Sequence, residues 1–380
     1  MSLKVLFLVP YPRDRAPSQR LKFEQHLPYL EAHGVCVTFR PFMTPALYDI
    51  AYQPGRYAEK IALTLQRIGS RIKDVLVDAR NFDVIYVHLE LVPFGPPLLE
   101  YWLSRARKPI VYDVDDIISL PHASPSNWMM RYLRSRQKVS TIARMSRHVI
   151  VVTNYLRTCL QRYNRHVTYI PPTIDTDHYR VRADSPDDRG VIRIGWSGSH
   201  STSPYLQLIA PVLSRLQARY RQVQLEVIGD PRVTIPGVNV KAHSWKLETE
   251  VTDLQRFDIG LYPLPETEWA LGKGGLKALQ YMGVGVPVVC TRYGACTEFV
   301  RDGENGFLVN GEEEWVRVLS RLIEDPALRR RTGLAGHRTV EEQFSVQKYS
   351  PVYLRIIQEV SGVSPEAAHD DRVAELVGTS

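Results

Sequence analysis

Short apolar runs alternate along this chain with stretches whose apolar positions recur every three to four residues. LKVLFLVPY (3–11), VCVTFRPF (35–42), DVIYVHLE (83–90), PIVYDVDD (109–116) and HVIVVTN (148–154) have the length and composition of buried strands. Between them lie helical patterns: an amphipathic helix in RLKFEQHLPYLEAHG that Gly34 closes, a long one from Tyr57 to Ala79, and a basic one from Trp128 to His148. The same alternation starts again at VIRIGWSGS (191–199). It continues through the helix PYLQLIAPVLSRLQARY, the strand VQLEVIGD and the helix ETEVTDLQRF to the strand IGLY (259–262). Strand and helix in alternation predict α/β structure with parallel sheets. The polar, aperiodic stretch RVRADSPDDRG (180–190) separates the two successions and reads as a linker. At 380 residues the chain has room for two domains that each bury a core.

The most informative stretch runs from Asp258 to Val289. After the strand IGLY comes a polar loop that reaches Gly272, Lys273, Gly274 and Gly275. A helical pattern then starts at Leu276, passes Lys277, Leu279 and Gln280, and ends at Gly283 and Gly285 before a second apolar run. Glycines at a helix start let an anion approach free backbone N–H groups, where the helix dipole also favours negative charge. With Lys273 and Lys277 on the same turn, the unit is suited to a phosphate or diphosphate; an ordinary βαβ unit with solvated lysines has the same spacing.

Three other loops carry candidate chemistry. GWSGSHSTS (195–203) follows a strand and presents Gly195, Ser197, Gly198 and Ser199, which can offer N–H and hydroxyl groups to phosphate oxygens, or serve only as a turn in which Ser201 or Thr202 caps the next helix. Asp113 and Asp115 end a strand two residues apart, so they share a face and repel unless a cation, hydroxyl donors or solvent intervene. The loop PYPRDRAPSQRLKF places Ser18 and Arg20 at a helix start, where they can meet an anionic acceptor. His88 ends another strand, although a lone histidine is more often structural.

These segments together resemble the retaining family-four glycosyltransferases, whose GT-B fold has two facing Rossmann-like domains with parallel sheets and a deep interdomain cleft. The resemblance rests on KVLFLVPYP, on VTNYLRTCLQRYNRHVTYIPPTIDTDHY with Asn154, Pro171, Pro172, Ile174 and Asp175 in matching places, on the Asp258–Val289 segment, on VVCTRYGACTEFVRDGENGFLV, and on FSVQKYSPVYLRII. It implies an acceptor domain over 1–180, joined by the final helix at about 345–360, a donor domain over 190–345, and a polar tail at 361–380. The donor would be a UDP- or GDP-linked sugar held by Gly195, Ser197, Gly198, Ser199, Lys273, Gly274, Gly275, Leu276, Lys277 and Gln280. Asp115 falls where many relatives carry a histidine that touches the transferred sugar, and Asp115, Asp113 and Lys273 are the catalytic candidates. Ser18, Arg20 and His88 are the acceptor candidates. The acceptor would be a glycan, a lipid-linked group or a small metabolite.

Three departures from the family stand out. The Ser-rich loop lacks the arginine and lysine with which many relatives bind the diphosphate. Pro17 and Ser18 replace glycines. Of the paired glutamates Glu-x7-Glu in the donor helix neither is kept, since Gly272 and Gln280 stand there; Glu266 or Glu268 is the nearest upstream carboxylate. Turnover without a metal or other cofactor is expected, because the phosphate ligands proposed are N–H groups, hydroxyls and lysines. A nucleotide-sugar epimerase and a non-catalytic nucleotide-sugar-binding relative are the alternatives, while a dinucleotide oxidoreductase is disfavoured because no GxGxxG follows the first strand.

Charge and cysteines change the picture little. Residues 1–190 carry 27 basic and 18 acidic side chains, a net of +9, and the remainder a net of −2. The basic helix, with Arg131, Arg134 and Lys138 beside Trp128, Met129, Tyr132 and Leu133, can lie on an anionic membrane surface at the inner face, or simply cover a core. No nucleic-acid motif accompanies the charge. Cys36, Cys159, Cys290 and Cys296 form no CxxC pair, so a zinc site or disulfide framework is not expected. No apolar run approaches the ~20 residues of a membrane span and no leader pattern opens the chain, from which a cytoplasmic location is expected.

Overall fold

A computed structural model describes residues 2–51, 53, 55–115, 137–182 and 190–362. It divides into two units: the first contains Met1–Pro171 and Tyr349–Ser380, the second Pro172–Lys348. Each is built on a six-stranded parallel sheet whose inner strands are apolar runs buried on both faces, while the edge strands Val35–Pro41 and Val240–His243 are largely half-buried or exposed.

In the first unit β1 (Leu3–Val9), β2 (Val35–Pro41), β3 (Val84–His88), β4 (Ile110–Val114), β5 (His148–Val151) and β6 (Val167–Tyr169) lie in the order β2-β1-β3-β4-β5-β6. One face packs on the helices Lys138–Met145 and Asn154–Gln161 through Ile142, Ala143, Leu156 and Leu160. The other face packs on Phe23, Leu27 and Leu30 and on the last helix, Val346–Ser361, through Tyr349, Val352, Tyr353, Ile356, Ile357 and Val360.

The second unit contains β7 (Ile192–Ser197), β8 (Val223–Ile228), β9 (Val240–His243), β10 (Ile259–Tyr262), β11 (Val288–Thr291) and β12 (Phe307–Val309), ordered β12-β11-β10-β7-β8-β9. Its core joins the strands to the helices Ala210–Arg219 and Gly311–Glu324.

In both sheets the order reverses once, between β1 and β3 and between β7 and β10. Ligands of open α/β sheets bind outside the carboxyl ends of the strands at such a reversal. The candidate loops sit there: residues 10–20 and His88 end β1 and β3, and the Ser-rich and glycine loops follow β7 and β10.

Several expected helices are broken by proline. RLKFEQHLPYLEAHG is not one helix: a turn of helix at Pro17–Arg20 and a 3-10 turn at Glu24–His26 precede Leu27–Ala32, where Pro28 occupies the first turn because it has no N–H to donate. Gly34, at φ 83°, ends it as expected. Ser203–Ile209 is likewise 3-10, and the α-helix starts only at Ala210 with Pro211 in its first turn. The long helix covers Tyr57–Leu76 and gives way to a 3-10 turn at Asp78–Asn81.

Candidate donor-phosphate site

The glycine loop and the Ser-rich loop form one site, and Lys277 joins them. The helix Leu276–Gly283 starts from Gly275, which has φ 76° and whose absent Cβ would lie 2.7 Å from the Phe299 ring. Both constraints require glycine. The first amides of this helix have no acceptor within it and point toward its open end. From its first turn the Lys277 ammonium donates to the Thr202 hydroxyl at 3.0 Å, and it lies 4.7 Å from the centre of the Trp196 ring and 5.9 Å from that of Tyr262. A Cβ on Gly198 would come within 2.6 Å of Lys277 Cε, so the glycine makes the space the lysine occupies.

Among the described residues Lys277 has no carboxylate partner. Burial, and then repulsion from Lys273, bring its pKa down to about 7. A desolvated cation with no counter-charge is costly to the protein, and an incoming anion relieves that cost. Lys273 takes a different course: its ammonium lies 3.9 Å from the centre of the Trp269 ring, which in turn meets Tyr205 edge-on. The two lysines of the turn thus rest on different aromatic side chains. Trp196 and Trp269 were not singled out from the sequence; for Trp196, the aromatic residue just before Ser197-Gly198-Ser199 was the available signal.

Other candidates have internal tasks. Gly195 is an interior strand residue whose missing side chain admits the Phe257 ring, 2.0 Å from where a Cβ would be, so it serves packing. The Ser197 N–H donates to the Tyr281 hydroxyl at 2.7 Å, and the Gly198 N–H to the Ile228 carbonyl, so neither amide is available to a phosphate. Ser199 remains exposed, with its hydroxyl 2.7 Å from that of Ser201. Thr202 does not cap the following turn by its side chain; its hydroxyl donates to the Ser199 carbonyl and accepts from Lys277.

Gln280 is also corrected. It is 5% exposed, and its amide donates to Glu250 Oε1 at 3.3 Å and to the Tyr179 hydroxyl at 3.1 Å. Tyr179 donates to Glu250 Oε2 at 2.7 Å and the Trp245 indole to Oε1 at 3.0 Å. The amide is therefore committed to a buried network and not to a ribose hydroxyl. A glutamate here would set two carboxylates together away from water, which gives a physical reason for glutamine at this position. Glu266 is exposed in the loop before the turn, and Glu268 is exposed at the start of the short helix Glu268–Leu271.

In the first unit Asp113 is wholly buried. Lys22 Nζ lies 2.5 Å from Oδ1, the Tyr86 hydroxyl donates to Oδ2 at 2.7 Å, and His88 Nδ1 is 3.1 Å from the same oxygen. Burial alone would raise the carboxyl, but the Lys22 ammonium and the His88 contact outweigh it and hold Asp113 below its ordinary value. The cation and hydroxyl donor that the Asp113–Asp115 repulsion calls for are Lys22 and Tyr86. Asp113 and His88 are thus structural groups of the core rather than substrate contacts. Asp115, one residue past β4, is partly exposed, and Ser18 is exposed, while Arg20 is only 9% exposed. Gln19 ties the intervening loop down: its amide exchanges bonds with Tyr11 O at 3.0 Å and Tyr11 N at 3.2 Å and donates to Glu24.

Asp116 lies outside the described residues, and so do Trp128, Met129, Arg131, Tyr132, Leu133 and Arg134, so only the end of the basic segment is described. Lys138 does not face outward. It is buried, 3.0 Å from Glu90 and bonded to the Val92 carbonyl, so it belongs to the core-covering alternative. Among the described residues no helix is long and apolar enough to cross a membrane, and no group of three or more His, Cys, Asp or Glu side chains is placed to hold a metal ion.

Two α/β units, each on a six-stranded parallel sheet flanked by helices, have the GT-B fold. Two family models match the chain: Glycosyltransferase Family 4 over residues 19–178 and Glycosyl transferases group 1 over residues 192–325. The chain belongs to the group 1, family 4 glycosyltransferases. It is similar to the lipopolysaccharide core biosynthesis glycosyltransferase LpsE of Rhizobium meliloti, 37% identical over 85 residues that make up 22% of this chain and 25% of that protein. It is also similar to the D-inositol 3-phosphate glycosyltransferase of an Arthrobacter species, 43% identical over 64 residues, 16% of this chain and 15% of that one. The chain thus spans a quarter or less of the length of these curated relatives. Among solved structures, Anabaena HepE in complex with UDP-glucose has a TM-score of 0.67 at 16% identity, covering 94% of this chain and all of that one. Sucrose-phosphate synthase of Thermosynechococcus elongatus has 0.66 at 16%, covering 96% and 100%. These likenesses show the fold.

Proposed function

We propose that this protein is a retaining glycosyltransferase that moves a sugar from a nucleoside diphosphate, UDP- or GDP-linked, to an acceptor hydroxyl. The acceptor would be a glycan, a lipid-linked group or a small metabolite. The observation that carries the reading is Lys277: a cation without a carboxylate partner among the described residues, packed on Trp196 at the reversal of the second sheet beside a helix start. HepE, which shares the fold, was solved with UDP-glucose, and that supports a nucleotide-sugar donor.

In this reading the donor diphosphate takes the first amides of the Leu276–Gly283 helix, the Lys277 ammonium and the hydroxyls of Ser199 and Ser201. These groups stabilise the charge that builds on the leaving diphosphate as the glycosidic bond breaks. Lys277 also replaces the cations that the Ser-rich loop lacks. The acceptor falls to the first unit, with Ser18, Arg20 and Asp115 near the carboxyl ends of β1 and β4. The acceptor proton passes to the leaving phosphate, and the sugar keeps its configuration. All the proposed phosphate ligands belong to the protein, so turnover proceeds without a divalent ion.

The test is acceptor-dependent release of nucleoside diphosphate from UDP- and GDP-sugars, with the anomer of the product determined. Release with an unchanged anomeric configuration supports the proposal. Conversion of the donor without acceptor points to an epimerase, and tight donor binding with no turnover points to a binding protein.

A further inference from the structure

A second cationic site lies at the other end of the first sheet. A cavity of about 500 Å³ opens at the amino ends of β5 and β6, among the turn before His148, the turn 163–166 and the last residues of the Val346–Ser361 helix. Arg144, Arg147 and Arg165 line it, and none of the three has a carboxylate partner among the described residues. Arg147 gives one N–H to the Val360 carbonyl at 3.2 Å, Arg165 gives its Nε–H to His166 at 3.1 Å, and Arg144 lies 4.7 Å from the centre of the Tyr163 ring. Each guanidinium keeps further N–H groups for another partner. The single acidic side chain of the lining, Glu359, is taken by Arg355 at 3.9 Å. His148 forms the floor, 6% exposed, bonded to Thr168 at 2.8 Å, and kept neutral near pH 7 by burial and by the neighbouring His166 and Arg355.

We propose that this cavity binds a phosphate-bearing group and that it is separate from the donor site. Three arginines around one concavity offer planar forks that match phosphate oxygens in pairs, which point-charge lysines do not. The three arginines are confined to one open concavity, which suits a single headgroup-sized anion, whereas a polymer needs a continuous basic track. The cavity is at the amino ends of the strands, whereas the acceptor candidates are at the carboxyl ends. Occupancy would therefore anchor or regulate the protein without displacing substrate. The phosphate can belong to a lipid headgroup or to a soluble ligand.

The test uses the full-length protein with the His166 imidazole, assigned through His166→Gln, as the NMR reporter and inorganic pyrophosphate as the probe. A saturable shift of His166 is expected. In the variant Arg147→Gln with Arg165→Gln the affinity should fall about tenfold or more, while melting temperature and nucleotide binding stay as in the parent. The exposed Arg144→Gln alone is the second variant and should weaken binding several-fold. Vesicles of phosphatidylcholine with or without phosphatidylglycerol separate the sources: binding that needs phosphatidylglycerol and is lost in the double variant assigns a lipid headgroup, and its absence beside a saturable pyrophosphate shift assigns a soluble phosphate. The proposal is overturned if His166 does not respond to millimolar pyrophosphate and no variant-sensitive vesicle binding occurs, or if the variants respond as the parent does.

Discussion

Gly198 and Lys277 are spatially matched: the Lys277 side chain fills the volume that a Cβ at position 198 would need. The two residues are in different loops, and neither side of the match is visible without the other. A phosphate site at this point thus depends on an absent side chain as much as on a present one.

From this match, Gly198→Val and Lys277→Ala should be similarly damaging to nucleoside diphosphate binding. Each should cost roughly tenfold to a hundredfold in affinity, the scale of one charge-assisted hydrogen bond at ~1.5 to 3 kcal/mol, and neither should change nucleoside binding much. Lys273→Ala should cost less, because that lysine stands on Trp269 before the helix start, whereas Lys277 is in the first turn and is bonded to Thr202 of the Ser-rich loop. Calorimetric titration with UDP, GDP and their nucleosides checks all three. A larger loss at Lys273 than at Lys277 would reverse the assignment.

Binding should also depend on pH. Lys277 has its pKa lowered to about 7 when the site is empty, chiefly by burial, and a bound diphosphate favours its charged form and raises that value. Below pH 7 the ammonium is already charged and affinity is level. Above it, binding must take up a proton, so affinity for a nucleotide sugar should fall by up to about tenfold per pH unit until the bound-state value is reached. The decline should vanish in Lys277→Arg, which stays charged.

Gln280→Glu should destabilise the second unit rather than restore a family motif. The new carboxylate would face buried Glu250, so its folded pKa would be raised and stability would be lost as pH rises above the unfolded value near 4.3. A melting-temperature deficit that is small at pH 5 and grows by pH 8 is expected. Equal deficits at both would exclude carboxylate repulsion as the cause.

The two aspartates of the β4 end should separate cleanly. Asp113→Ala leaves Lys22 buried without its partner and should cost about 3 to 5 kcal/mol of stability. Because the folded pKa of Asp113 is depressed, its contribution is present above the unfolded value near 3.9 and is lost as pH falls through the folded one. Asp115→Asn should leave stability nearly unchanged and lower turnover more than nucleotide binding. Thermal melts and steady-state kinetics on both variants decide the matter.

Most strands and the helix start after Gly275 were legible because they depend on local signals, apolar runs of strand length and glycines before a helix; the short β6, β9 and β12 were not singled out. What was not legible depends on distant partners. Asp113 meets Lys22 from a distant part of the first unit's sequence, Gly195 is required by Phe257, and the amide of Gln280 is claimed by Glu250 and Tyr179. A polar residue bound to the interior looks the same in sequence as one bound to a substrate. The proline breaks, in contrast, were local and could have been read, since Pro28 and Pro211 each stand in the first turn of a helix and lack the N–H that its interior requires.

The helix Val346–Ser361 lends Tyr353 and Ile357 to a core that otherwise comes from the first 170 residues, and His26 is bonded to Ser350 within it. On the ribosome, everything from Pro172 to Ser345 is made before that helix emerges. The later unit can therefore finish its own packing while the earlier one still exposes an apolar face of its sheet. Order of synthesis and order of completion are reversed in this chain, and the waiting face is where nascent protein needs protection from aggregation.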